Sequence, residues 1–490
     1  MGGLSFGMLA GVLWDFATVR GDGFYAVMLT LAGYVAGAAT QEFAADASLT
    51  IPAPFATGSY VAKYNASGAA QWGILIDGES KITSMAVDSK DVLYVAGSYY
   101  GTVWFFNSNF SDYTEIDGEG SFIAKYKADG TLEFLRTIAA VTDPEIEVTG
   151  MYGYKIQVEG SKLYVGANYC GDVTIKDYTS KGAENPSGDL TLQGKYALVW
   201  GFMYTDMQSS AVFSFNTSKM NGPKLVADMA PAAEIIETDA IFKVQTANFV
   251  VDGGSVYVAA MGYGNLAAKT ANGTQNVSFS MDGAGTNEYG MIVVKTGAAD
   301  VVKVYNSEPT TLSTDYYNLV GGMDVTNGTL YISGVYRGYN PFDSSMSTDG
   351  VSTSDIYVAS LKTSNLEKNW VVTTPDQNDT EKAKYEDICG TIIYPAGIQI
   401  AGAIKDVESN YNYSIDFNGN ATALSQTAVG ALGYNVFQAA YASTVDGITT
   451  VCAGELATAA SYEGIAGDDV KYTYTPATAT LSFTGTGAMY

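Results

Sequence analysis

Four tyrosines stand at one recurring position, each just ahead of a glycine: Tyr99 with Gly101, Tyr169 with Gly171, Tyr263 with Gly264, and Tyr336 with Gly338, the last with Arg337 beside it. An aromatic ring repeated at one place in successive units would line one face, or the mouth of a channel. Rings so placed could stack on sugars or peptides, giving large contact for little side-chain entropy. The same pattern also serves plain packing between units ahead of a glycine turn. Tyr99, Tyr169, Tyr263, Tyr336 and Arg337 are the candidate binding residues, and packing is their competing role.

Other chemistry is sparse. The 490-residue chain has no histidine, which removes the usual general base, the Ser-His-Asp and Cys-His pairs and imidazole metal ligands. Carboxylate pairs could still cleave glycosidic bonds, yet no catalytic cluster stands out. Cys170, Cys389 and Cys452 lie far apart with no CxxC motif, so they make no conventional zinc site and read as small buried hydrophobes in strands. Residues 343–349 (DSSMSTD) and 282–288 (DGAGTNE) carry oxygen ligands of the kind calcium takes. Neither follows the D-x-D-x-D-G pattern, and turn chemistry accounts for both. No cofactor and no metal site are expected; calcium is the only cation left open.

Acidic residues outnumber basic ones 51 to 25, a formal net charge of −26. A field of that sign repels phosphate backbones, which excludes nucleic acid as a partner, and suits either solubility outside the cell or attraction of basic partners. Residues 4–16 and 25–39 are apolar, but neither reaches the roughly 20 residues of a membrane-spanning helix, and no basic region precedes the first.

The elements that would position these residues are written several times over. Residues 58–72 read GSYVAKYNASGAAQW and residues 120–134 read GSFIAKYKADGTLEF, each preceded by a Tyr-Val-Ala-Gly block at 34–37 and 94–97. Such self-similarity marks units that must stack on their neighbours to bury an apolar face. In the second copy, residues 81–88, 92–99, 121–126 and 131–138 read as four strands, with Asp/Gly turns between them and a variable arm after the second. The second strand recurs at 163–167, 256–260, 330–334, 398–402 and 450–454. The later hairpin recurs at 195–202, 289–295, 356–362, 413–420 and 470–474. Residues 215–237 read as an insertion with a short helix at 232–238, and 265–287, 340–354 and 404–412 as long arms.

Seven copies, or six if the degenerate ones merge, predict an all-β chain: a single β-propeller of seven four-stranded antiparallel blades, bounded near 1–77, 78–144, 145–240, 241–310, 311–380, 381–430 and 431–490. Closure needs the termini to meet, and residues 4–16 are the expected strand at that seam, in the last blade.

On Ala86-Val87-Asp88, residues 93–97 and 123–126, Gly130 and Trp72, the chain resembles the bacterial seven-bladed beta-propeller repeat family, SBBP, whose pattern runs AVD-x-x-G-N-V-Y-V-A-G and then F-V-A-K-Y-D-x-x-G-x-x-x-W. The match covers about residues 34–138 and fades beyond, where later copies lose Lys-Tyr and the tryptophan. The resemblance implies an exported, cell-surface or extracellular protein and no particular catalytic residue. The expected function is a non-enzymatic surface propeller that binds a protein, peptide or glycan, as part of an envelope or surface assembly. The alternative is a carboxylate-dependent polysaccharide lyase or hydrolase.

Overall fold

The computed structural model describes residues 29–31, 34–65, 69–141, 150–179, 181–199, 203–207, 209–232, 235–236, 245–263, 265–278, 289–306, 317–347, 355–374, 385–394, 397–405, 412–417, 420–425, 434–443, 447–455, 462–467, 470–475 and 480–485. The chain is all-β, with one 3-10 turn at Pro186–Gly188 among the described residues. Its strands form successive antiparallel units of four. Unit 1 is Leu29–Leu31, Tyr34–Ala39, Gly58–Tyr64 and the first half of Ala70–Val87; unit 2 is the second half of that strand with Leu93–Phe106, Glu119–Tyr126 and Leu132–Thr137. Unit 3 is Gly150–Glu159, Lys162–Cys170, Ser209–Asn216 and Asn221–Pro231. Units 4 and 5 are Gln245–Asp252, Ser255–Tyr263, Tyr289–Thr296, Val301–Asn306, and Tyr317–Thr326, Thr329–Arg337, Asp355–Lys362, Lys368–Thr373. Unit 6 is Tyr385–Tyr394, Gly397–Lys405, Tyr434–Ser443 and Ile448–Glu455, followed by a three-stranded sheet of Tyr462–Gly467, Val470–Thr475 and Thr480–Gly485.

The long strand Ala70–Val87 serves two units because it breaks register at Gly78, whose φ of +113° suits glycine. A Cβ there would sit 2.6 Å from the Thr102 carbonyl oxygen. A second irregularity recurs. In units 2 to 6 the first strand shifts register against the second at one equivalent place, before Ser84, Lys155, Asn248, Gly322 and Gly390.

Both faces of a middle unit are buried, so each second strand is apolar throughout rather than alternating. Alternate side chains go to different cores. Leu93 and Val95 pack toward unit 1, whereas Tyr94 and Ala96 pack toward unit 3. The tyrosine of each block points the same way: Tyr34 meets unit 2, Tyr94 unit 3, Tyr164 unit 4 and Tyr257 unit 5. Truncating a buried ring of this size costs about 3–5 kcal/mol, so this row holds the stack in order.

The lysine of the Ala-Lys-Tyr motif, which unit 4 keeps within Val294-Lys295-Thr296, adds a clamp. Lys63, Lys125 and Lys295 stand directly across from Tyr34, Tyr94 and Tyr257, with each ammonium 5.3–5.8 Å from the ring centroid. Each then reaches into the next unit: Lys63 pairs with Asp91, Lys125 donates to the Thr217 carbonyl at 3.1 Å, and Lys295 to Thr363 at 2.9 Å. Trp72 Nε1 likewise donates to the Ala128 carbonyl of unit 2 at 2.8 Å. The motif is thus an inter-unit fastening. Units 3 and 5 place Ser214 and Ser360 at the lysine position and so lack this clamp.

Three expectations are corrected by the strand pairing. Residues 215–237 are no insertion, because Ser209–Asn216 and Asn221–Pro231 are the third and fourth strands of unit 3. The helix expected at 232–238 gives way to Ile235–Ile236, a strand parallel to Lys195–Val199, and the latter belongs to a small side sheet rather than to the unit's hairpin. Asn412–Phe417 pairs only with Asn420–Ser425 among the described residues, while Ile448–Glu455 is the fourth strand of unit 6. Unit 6 therefore runs across the boundary expected at 430. In each case the arm was longer than in the template, so the hairpin inside it imitated the hairpin beyond it.

Candidate functional site

The structure buries three of the expected ligand-facing tyrosines. Tyr99 lies in the core between units 1 and 2, and burial raises its hydroxyl pKa. Tyr169 is fully buried and donates to Asp228 Oδ1 at 2.8 Å. Tyr336 is fully buried, 3.0 Å from Thr373 Oγ1 and 3.3 Å from Asp355 Oδ2, with Tyr357 beside it at 6.3 Å between centroids. Their position, just past an apolar block with two buried faces, puts them in the same packed stack. Arg337 is half-buried next to Tyr336. Tyr263 ends its strand, and its side chain lies outside the described residues, as does Gly264.

The calcium-type loops divide similarly. Asp343 Oδ1 accepts from the Ser345 amide and hydroxyl, and its Oδ2 pairs with Lys368 at 3.0 Å; the Ser345 bonds, first among these partners, hold its carboxyl below the usual range. Residues 348–349 and 282–288 lie outside the described residues, as do residues 4–16. Cys170 is buried at a strand end.

A different surface carries unusual chemistry. The arm of unit 2 is a ribbon made by the distal part of Leu93–Phe106 and by Tyr113–Ile116, and it adds itself to the fourth strand of unit 1 through Ile76↔Phe105 and Asp77↔Trp104. One face of the ribbon, Tyr99, Val103 and Phe105, is core. The opposite face should be polar, since water lies there. Instead it carries Tyr100, Trp104 and Tyr113, with Tyr100 61% and Tyr113 56% exposed, while Phe106 on the same face packs against the far-face cluster of unit 1. Trp104 and Phe106 are half-buried.

Registration sets these groups in rows. Asp77, Trp104 and Glu115 face one another across three strands, and Trp104 Nε1 donates to Glu115 Oε2 at 2.9 Å. Phe106 and Tyr113 form the next row, 5.3 Å apart. Thr102 donates to Asp117 Oδ1 at 2.8 Å on the other side. Phe55, 95% exposed, is tethered to the same patch by its amide, which donates to Asp77 Oδ1 at 2.9 Å. Glu79 and Glu119, exposed, lie opposite Tyr100 on either side.

Two neighbouring arms show what this position requires for folding alone. The arm of unit 3, Val173–Ile175 with Leu190–Leu192, continues unit 2 through Ala139–Val141. Its inward residues Val173, Ile175 and Leu192 are buried, and its outward pair is Thr174 and Thr191. The arm of unit 4, Asn265–Thr270 with Gly273–Ser278, adds to the fourth strand of unit 3. It buries Leu266 and Ala268 and turns Ala267, Lys269, Thr274 and Asn276 outward. The architecture is served by threonine, lysine and asparagine. Aromatic residues in unit 2 are a departure.

The departure was visible in the sequence as SYYGTVWFF at 98–106, where apolar residues occupy both parities of a strand that should alternate. From 91 to 124 there are also five acids (Asp91, Asp112, Glu115, Asp117, Glu119) and no base. This run occurs once and lies outside the recurring pattern. The described residues bring no three metal-ligating side chains together.

No family model matches this chain, and no curated protein matches it. Among solved structures it is similar to an alpha-L-arabinofuranosidase from Lactobacillus brevis, at 7% identity over 75% of this chain and 91% of that one, with a TM-score of 0.28. It is also similar to the WD40 domain of SCAP from fission yeast, at 8% identity over 89% and 84% with a TM-score of 0.29. A quinohemoprotein alcohol dehydrogenase, ADHIIG from Pseudomonas putida HK5, aligns at 9% identity over 80% and 71%, also at 0.29. At such scores strands superpose without a shared overall arrangement, and no functional argument rests on them. No helix among the described residues is long and apolar enough to cross a membrane.

Proposed function

We propose that this chain is a non-enzymatic binding protein of the cell surface or extracellular space. Its six units and terminal sheet form one seven-bladed β-propeller, and its ligand docks on the aromatic and acidic face of the unit 2 arm. The observation that carries the reading is the outward set Tyr100, Trp104 and Tyr113 at a place where the arms of units 3 and 4 turn out polar side chains. Exposed tryptophan and tyrosine are the residue types that dominate binding energy when a partner covers them. Trp104 is held by its hydrogen bond to Glu115, which restrains the ring before a partner arrives and so lowers the ordering cost of docking.

Glycan and peptide arrays probed with the intact protein and with a Trp104→Ala/Tyr113→Ala double variant test this. The intact protein should bind a defined class of spots, and the variant should bind them at least about tenfold more weakly, the loss expected for exposed aromatic anchors. Unchanged binding by the variant would remove the arm from the function, and release of cleaved sugars would replace binding by catalysis.

A further inference from the structure

The geometry points to the ligand's class: an extended basic polypeptide segment, with Lys or Arg at every second residue, added as a strand along Tyr113–Ile116. This rests on the unit 2 arm being the binding site. Three observations converge on it.

The first is an open edge. Among the described residues Tyr113–Ile116 pairs on one side alone, with Val103–Phe106, and Tyr113, Thr114 and Glu115 are all exposed. Its outer amides and carbonyls are free to form a further ladder, and strand addition at a sheet edge draws its affinity from such main-chain bonds. The second is spacing. Tyr113, Glu115 and Asp117 project alternately along this edge onto the aromatic face, so an incoming strand would set every second side chain against a tyrosine ring, then a carboxylate, then another carboxylate. The third is charge. Asp77, Glu79, Glu115, Asp117 and Glu119 surround the patch, and the sequence holds no base between Lys90 and Lys125. Aromatic faces also hold Lys and Arg, because the ring's π-face attracts a cation. A neutral oligosaccharide would need one or two acceptors and would gain nothing from the rest. A cationic strand uses the edge, the rings and the acids together.

A fluorescently labelled octapeptide alternating lysine and threonine, titrated into the full chain and followed by anisotropy, tests the assignment. Binding should saturate, weaken steeply between about 0.05 and 0.5 M salt as exposed charges are screened, and vanish for the octapeptide with glutamate in place of lysine. It should weaken at least about tenfold in Trp104→Ala and in Glu115→Gln/Asp117→Asn, each assayed well below its own melting temperature because these changes remove or weaken the Trp104–Glu115 and Thr102–Asp117 hydrogen bonds. N-methylation of alternate peptide amides should abolish binding, which a merely electrostatic contact would not require. Equal affinity for the lysine and glutamate peptides, or insensitivity to N-methylation, overturns strand addition by a basic segment. If maltohexaose or xylohexaose binds instead, and Trp104→Ala removes it, the arm stands as the site and this inference falls. If arrays and octapeptide alike ignore the arm variants, the site itself falls.

Discussion

Lys155 is the residue whose environment most constrains the protein's behaviour in solution. It follows the register shift in the first strand of unit 3, is buried, and donates from Nζ to Asn248 Oδ1 in unit 4. Asn248 in turn donates from Nδ2 to the Gly321 carbonyl of unit 5 at 3.0 Å, and Ser84 of unit 2 accepts from the Ile156 amide at 3.0 Å. Polar groups at the shifts therefore link units 2 to 5 in sequence. Burial pulls the Lys155 pKa down to about 7, against the opposing pull of Asp324. Below pH 7 the ammonium is charged in both folded and unfolded chain, and its desolvation cost is complete. From pH 7 to 10.5 the unfolded chain holds a proton that the folded one has released, so stability rises with pH, by up to about 1.4 kcal/mol per unit. Tyr60, Tyr64 and Tyr94, pushed up to about 12 by burial, act oppositely above pH 10, where the unfolded chain loses protons first. Urea unfolding at pH 6, 8, 10 and 11 should show a maximum near 10. Lys155→Met should raise stability at pH 6 and flatten the rise between 7 and 10; a parallel curve for the variant would show that Lys155 stays charged.

At the scale of elements, what could be read from the sequence and what could not divide along one line. Four-strand units and their second strands were legible, because period-2 apolar blocks and Asp/Gly turns are local signals. Gly130 illustrates it: the turn 127–130 needs its φ of +79°, and a Cβ would come within 2.9 Å of Trp72 and 2.7 Å of Ser108. Gly130→Ala should cost about 1–3 kcal/mol, from a left-handed backbone and a displaced Trp72, measured as a lower urea midpoint. A cost near zero would mean the turn and the tryptophan move freely, and the fastening of unit 1 to unit 2 would lose its account. The arms of units 2, 3 and 4 were illegible, because each pairs with the preceding unit rather than its own. Nothing in a hairpin's own residues states which sheet it will join. For the same reason the recurring tyrosines looked like a site: a buried row and an exposed row have the same spacing, and only the second buried face tells them apart.

The whole molecule turns on how its stack of units ends. Successive faces are shared from unit 1 to unit 5, so each internal unit is covered twice. Unit 1 keeps a smaller cluster on its far face, with Val35, Ile51, Tyr64 and Leu75 under the Phe43–Ala44 and Thr50–Ile51 hairpin. The three strands after unit 6 lack a fourth: Thr480–Gly485 pairs on one side only among the described residues. The ring proposed above would answer both facts if residues 4–16, expected from the sequence as the strand at its seam, paired there. An unpaired strand edge invites association with other chains, and pairing it from the opposite terminus would remove that hazard. Closure predicts that amides of Thr480–Gly485 exchange slowly in the full chain, and at least about tenfold faster, the equivalent of 1.4 kcal/mol, once residues 1–16 are deleted. Hydrogen-exchange mass spectrometry of that peptide reads it directly, and the unit 3 strand Lys162–Cys170 serves as the internal control that should not change. Equal exchange in both chains would leave the stack open at its ends, and fast exchange in unit 3 as well would mean that the terminal strand holds the entire array together.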